Sequence, residues 1–157
     1  MNRRIAVIRL RGTIKARKEI GDTMKMLRLY KTNTCIIIKN SPELVGMINT
    51  IKDYTTWGEI DDKTMKELLI KRGRLAGNKP IDENYIKGKT KMSAEEFTKM
   101  FMDFKKELRD IPGLKLFFRL NPPRHGFDNK SIKRTFVQGG ALGYRKEKIN
   151  DLIMRML

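Results

Sequence analysis

The stretch RIAVIRLR, residues 4–11, decides how the opening part of the chain folds. It alternates as an extended strand does, with Ala6, Ile8 and Leu10 on one side and Val7, Arg9 and Arg11 on the other. A strand with one core face and one exposed, partly basic face is the expectation. Gly12 ends it. Over residues 15–30 the apolar spacing becomes helical, placing Ala16, Ile20, Met24 and Leu27 on one stripe and Lys18, Lys25 and Arg28 on the outer side. TCIIIK, residues 34–39, carries an isoleucine run suited to a central strand packed on both faces, with Cys35 as a small buried hydrophobe. Ser41 before Pro42 supplies an N-cap and a first-turn proline, and Glu43 complements the helix dipole. Leu44, Met47, Ile48 and Ile51 form the buried stripe of that second helix. Residues 54–60, with Thr55, Thr56 and Trp57, supply a third strand. The fold class is therefore α/β (α+β): residues 1–60 form a β-α-β-α-β core, a three-stranded sheet with helices on one face.

Residues 61–157 read as a helical, loop-rich C-terminal extension with basic loops. Asp62 caps a third helix whose Met65, Leu68 and Leu69 point inward, and Gly73 stops it after Lys71 and Arg72. Residues 74–91 contain Gly77, Pro80 and Gly88, lack apolar periodicity and are expected to be a linker. Ser93 with Glu96 makes a capping box, followed at helical spacing by Phe97, Met100, Phe101, Phe104 and Leu108. Pro112 and Gly113 turn the chain into a strand over residues 114–120. Ile149, Leu152, Ile153 and Met156 close it with a short helix.

Charge narrows the function. The chain holds 35 Lys plus Arg against 18 Asp plus Glu, a formal charge of +17 with a pI near 10.2, which is the footprint of a nucleic-acid binder. No acid occurs in residues 1–18, where Arg3, Arg4, Arg9, Arg11, Lys15, Arg17 and Lys18 cluster. Between Arg119 and Lys148 there are eight basic residues and two acidic ones, on backbone punctuated by Pro122, Pro123, Gly126, Gly139, Gly140 and Gly143. Phe127, Phe136, Val137, Leu142 and Tyr144 lie between those charges as anchors, so the loop reads as ordered against a polyanion. Charge nominates Arg11, Lys15, Arg119, Lys133 and Arg134 as RNA-binding residues, with Gly139, Gly140 and Gly143 shaping the late loop. Catalysis lacks parts: His125 is the lone histidine, and carboxylates such as Asp61, Asp62, Glu95 and Glu96 sit at helix starts where dipoles account for them. No Walker motif, metal-ligand set or cofactor signature is present, and one cysteine excludes an internal disulfide. No apolar run suits a bilayer, so a soluble, cytoplasmic, non-enzymatic protein is expected. Helix-turn-helix, zinc-finger and RRM signatures are missing, leaving recognition of RNA shape by basic loops and helix faces.

VIRLRGTIKARKEIGDTMKMLRLYKTNTCIIIKNSPELVGMINTIKDY, together with LLIKRGRLAGNK, FRLNPPRHGF and GGALGYR, resembles archaeal large-subunit ribosomal protein thirty, of the universal family that includes eukaryotic large-subunit ribosomal protein seven. The resemblance covers essentially the whole chain, and the last three motifs are its more specific part. It implies a structural constituent of the large ribosomal subunit that binds 23S rRNA, with 5S rRNA nearby and other large-subunit proteins as neighbours. By position it adds Arg17, Lys18, Arg28, Lys71, Arg72, Arg74, Arg124 and Arg145 as RNA contacts. Members often carry His where Asn121 stands and Gly where His125 stands. Two rival readings are a nucleic-acid-compacting protein outside the ribosome and an RNA-modifying enzyme using His125.

Overall fold

A computed structural model describes residues 3–127 and 131–157; residues 128–130 of the late basic loop lie outside the described residues. Strand β1 (Arg4–Arg9) runs through the middle of a five-stranded sheet. It pairs antiparallel with β2 (Thr34–Lys39) on one side, Val7 opposite Ile36, and with β3 (Thr55–Glu59) on the other, Val7 opposite Trp57. Between them run α1 (Lys18–Met26) and α2 (Pro42–Thr50). The β-α-β-α-β order expected of the first sixty residues is the order observed.

The extension completes the sheet at both edges. A short β4 (Phe118–Arg119) adds antiparallel to β2, and β5 (Gly143–Tyr144) adds parallel to β3, giving the order β4-β2-β1-β3-β5. The strand expected over residues 114–120 thus contributes one two-residue pairing to the core sheet. Its helices α3 (Asp62–Arg72), α4 (Glu83–Thr90), α5 (Ala94–Met102) and α6 (Ile149–Met156) supply a second layer.

Both faces of β1 are therefore covered. Ile5 and Val7 pack with Met24 and Leu27 of the first helical segment and with Ile48 and Ile51 of the second. Ala6, Ile8 and Leu10 pack into a larger cluster built from Leu68 and Leu69, Phe97 and Phe101, and Leu152 and Ile153. Helices of the core cover a single face, as expected, but it is the Val7 face, and helices of the extension cover the Ala6–Ile8 face. This corrects the exposed basic face expected for β1: Val7 is fully buried and Arg9 is buried with it. Burying a guanidinium is tolerable only if its donors are satisfied. Arg9 Nη1 donates to the carbonyls of Leu29 and Tyr30 at 2.8 and 2.9 Å, Nε to Arg11 at 2.9 Å and Nη2 to Thr13 at 3.2 Å.

Helix α1 is shorter than the expected span of residues 15–30. Ala16 donates to Thr13 in a separate turn, and left-handed Lys15 and Arg28, at φ +61° and +60°, bracket the helix. Ser41 caps α2 by accepting from Leu44 at 3.4 Å, and the Ser93–Glu96 box caps α5. That helix stops at Met102, because Phe104 takes a left-handed turn at φ +62° before Leu108 re-enters the core. Residues 74–91 are not a linker: they contain α4, held by buried Ile81 and Ile86. Two isoleucines among many charges give little periodicity, which is why the helix escapes a pattern search. Gly73 ends α3 with an ordinary φ of −58°, so it is not a left-handed cap; a Cβ there would lie 2.3 Å from the Leu69 carbonyl oxygen.

Candidate nucleic-acid interface

The sheet has two chemically different ends. At the end where β1 finishes, Lys31, Arg72, Arg74, Lys115 and Arg119 line a groove with Tyr30 and Phe117, and no carboxylate is among the lining residues. Arg72 is the last residue of α3, and its Nη2 donates to the Leu157 carbonyl at 2.5 Å. Arg74 forms an isolated bridge with Pro80, and its carbonyl accepts from the Lys115 amide at 2.9 Å. Arg119 is held by the pairing of β4 with Thr34. Three remote segments therefore deliver their cations to one place. Tyr30 and Phe117 meet edge to face, centroids 5.6 Å apart at 81°.

A second groove at the same end gathers Arg11, Lys15 and Arg17 with Lys133 of the late loop, alongside Glu19 and Asp53. Arg11 Nη1 donates to the Asp53 carbonyl at 3.0 Å, and its guanidinium lies 5.2 Å from the Tyr54 ring centroid. Lys18, the first residue of α1, is exposed nearby in sequence.

The remaining candidates are placed elsewhere. Arg28 lines a cleft with Lys39, Glu107 and Arg109 near the opposite end of the sheet. Lys71 is exposed and pairs with Glu67 at 2.6 Å, one helical turn back. Arg124 is exposed, its amide donating to the Arg155 carbonyl at 2.9 Å. Arg134 is exposed, and its carbonyl accepts from the Leu142 amide at 3.1 Å.

Arg145 is a correction. It is 2% exposed, with Nε donating to Thr56 at 2.9 Å, Nη2 to the Ala141 carbonyl at 2.9 Å, and the Phe136 ring centroid 4.8 Å away. Its cation braces the late loop from inside and has no surface to offer RNA. The glycines make that brace possible. Gly139 and Gly143 sit at φ +77° and +85°, and a Cβ on Gly140 would lie 2.2 Å from the Arg134 carbonyl oxygen. The loop is thus divided: Gly140, Ala141 and Leu142 are buried, while Lys133, Arg134 and Val137 face outward.

At the other end of the sheet Glu59, Asp61, Asp62, Asp103 and Glu147 share a cleft with Arg3, Arg4, Lys63 and Lys99. Arg3 pairs with Glu147 at 3.0 Å, and buried Arg4 with Glu107 at 3.2 Å. Partial burial, with Glu147 and Asp62 close by, pushes the Asp61 carboxyl above its ordinary range. Tyr144 donates to Glu59, and that bond together with burial pushes the phenol up to about 12. Cys35 is buried and desolvation raises its thiol, the reverse of what a nucleophile needs. Among the described residues no group of three or more His, Cys, Asp or Glu gathers as a metal site, and no helix is long and apolar enough to cross a membrane.

Residues 5–55 match the family described as Ribosomal protein L30p/L7e. Over 149 residues the chain is 47% identical to the large ribosomal subunit protein uL30 of Methanopyrus kandleri, covering 94% of this chain and 100% of the relative. It is 49% identical over 152 residues to the protein of that name from Nanoarchaeum equitans, covering 97% of each. With the Methanococcus maripaludis protein it shares 47% over 152 residues, 97% of this chain and 98% of the other. The chain belongs to the ribosomal protein L30p/L7e family. That family is structural rather than catalytic.

In this L30p/L7e chain the first groove includes residues that charge patterning in the sequence does not single out. Lys31 stands in a turn and Lys115 in an apolar run, so neither belongs to a charge cluster. The signal for Lys115 is the alternation of LKLFF, which turns it away from Leu114 and Leu116. Tyr30 carries no signal beyond being a large aromatic between basic residues.

Proposed function

We propose that the chain is a structural constituent of the large ribosomal subunit, supporting translation by binding and stabilising folded 23S rRNA, with 5S rRNA and neighbouring ribosomal proteins close by. The observation that carries this reading is the gathering of Lys31, Arg72, Arg74, Lys115 and Arg119 in a groove without carboxylates, beside a second that holds Arg11, Lys15, Arg17 and Lys133. Clustered cations replace counterions condensed on RNA, and affinity comes mainly from the ions released. Selectivity then follows from RNA shape, since phosphate contacts position a protein without reading bases.

The test is the affinity of the full chain for a 23S rRNA transcript across a salt series. If about six phosphates are neutralised, log affinity falls against log salt with a slope of about −4 to −5. A slope near zero overturns the mechanism. Cosedimentation with large subunits after a high-salt wash distinguishes this role from nucleic-acid compaction outside the ribosome.

A further inference from the structure

The groove beneath β4 holds more than charge. Tyr30 is 53% exposed, so one large aromatic face stands open at the groove although its backbone is fixed. Its carbonyl accepts from the buried Arg9 guanidinium at 2.9 Å, which anchors the position without using the ring. Phe117 sits perpendicular to it and packs onto the core, so the two rings form an apolar corner. Lys31, Arg74 and Arg119 line the same groove as that corner, and so do Asn78 and Asn121 with their side-chain amides.

A duplex backbone would use the cations and leave the corner idle. An acidic peptide would use the cations, and its backbone could meet the amides, but its carboxylates bring no flat face to the rings. An unstacked nucleotide uses all three: its base lies against an aromatic face, its phosphates meet the cations, and its edge pairs with side-chain amides that both donate and accept. We infer that this groove captures a single flipped-out nucleotide of RNA, with the base stacked on Tyr30 in the corner that Phe117 closes and the flanking phosphates on Arg74 and Arg119. The inference rests on the rRNA-binding reading above and assigns one subsite within it.

The experiment compares two probes of equal charge: a short oligo(A), and a ribose-phosphate chain of the same length without bases. The wild-type chain should prefer oligo(A) about 5- to 160-fold, the usual range for stacking one base on an aromatic side chain. Tyr30→Ala should bring that ratio close to one, and Tyr30→Phe should keep it. Tyr144→Ala, at the far end of the sheet, should leave it as in the wild type. Because the Tyr30 ring is mostly in solvent, its loss uncovers little core, and a melting curve on each variant checks that the fold persists.

A wild-type ratio of one, with both probes binding in a steeply salt-dependent way, overturns the stacking assignment and leaves rRNA binding standing. A ratio that survives Tyr30→Ala overturns it equally. Displacement of oligo(A) by polyglutamate as readily as by the abasic chain would give the groove to an acidic protein segment. If neither probe nor a 23S transcript binds with salt-dependent affinity, the rRNA reading falls and takes this subsite with it.

Discussion

At one end of the sheet five cations line a groove without a carboxylate; at the other, five carboxylates share a cleft with four cations. Both ends are made by the same strands, so the fold does not distinguish them. What does is where each cation's partners lie. Arg4, at the carboxylate end, is 1% exposed and fully occupied: it donates to the Phe101 and Lys106 carbonyls at 2.6 and 3.0 Å, pairs with Glu107, and stacks 3.6 Å from the Phe101 ring centroid. Arg119 at the groove end is exposed and has no ion pair with a described residue. A guanidinium with its donors spent holds the protein together, whereas one with donors to spare is available to a polyanion.

The largest effect should come from breaking the occupied end. Arg4→Ala removes donors from two carbonyls, leaves a void between Phe101 and Phe104, and strips Glu107 of one of its two cations. We expect a loss of about 3 kcal/mol in unfolding free energy, read by denaturant titration. RNA affinity, measured where the variant is still folded, should hardly move. A variant that loses affinity but not stability would abolish the division between the two ends.

The second test neutralises equal charge at each end. Arg74→Gln with Arg119→Gln should make the salt slope for 23S rRNA shallower by about 2, one for each phosphate no longer neutralised. Lys63→Gln with Lys99→Gln changes net charge identically and should leave the slope near its wild-type value. Equal reductions from the two pairs would mean that net charge, not its placement, governs binding.

How much of this division could be read from residues alone follows from what periodicity records. The three central strands, the Ser41 cap and the Ser93–Glu96 box were legible because each is a local pattern within about four residues. The packing of the extension's helices onto the sheet was not, since the partners they give Ala6 and Ile8 lie more than fifty residues away. With only one helical layer in view, that layer was given to the Ala6–Ile8 face, so Arg9, on the face that α1 and α2 in fact cover, looked like a surface charge. Arg145 entered as an RNA contact through the resemblance of GGALGYR, and only the fold brings Thr56, far away in sequence, to its guanidinium. Charge nominated Arg119 and the resemblance Arg72 and Arg74, but neither singled out Lys31 and Lys115, which join them through tertiary contact.

Acid should separate the ends more gently. Burial alone would raise the Glu107 carboxyl, but the hydrogen bonds from Arg4 and Lys39 outweigh it and hold the group below the usual carboxylate range. A carboxylate depressed in the folded state stabilises it above the unfolded pKa, near 4.3, and that contribution disappears as pH falls through the folded value. Melting temperature should therefore decline with acid below about pH 4.3 in a limb that Glu107→Gln makes shallower. An unaltered limb would mean that Arg4 is held by its carbonyls and rings alone.

The smallest effect belongs to the groove without its ligand. Five cations gathered without a carboxylate repel one another, and that repulsion persists until salt screens it. The isolated chain should melt at higher temperature as salt rises from a few millimolar to about 100 mM, where the Debye length falls to about 10 Å. Arg119→Gln removes one member of the set and should flatten the rise, whereas Lys63→Gln, beside Asp61 and Asp62, should not. If both substitutions flatten it equally, the strain is spread over the whole +17 surface and the groove is not its source.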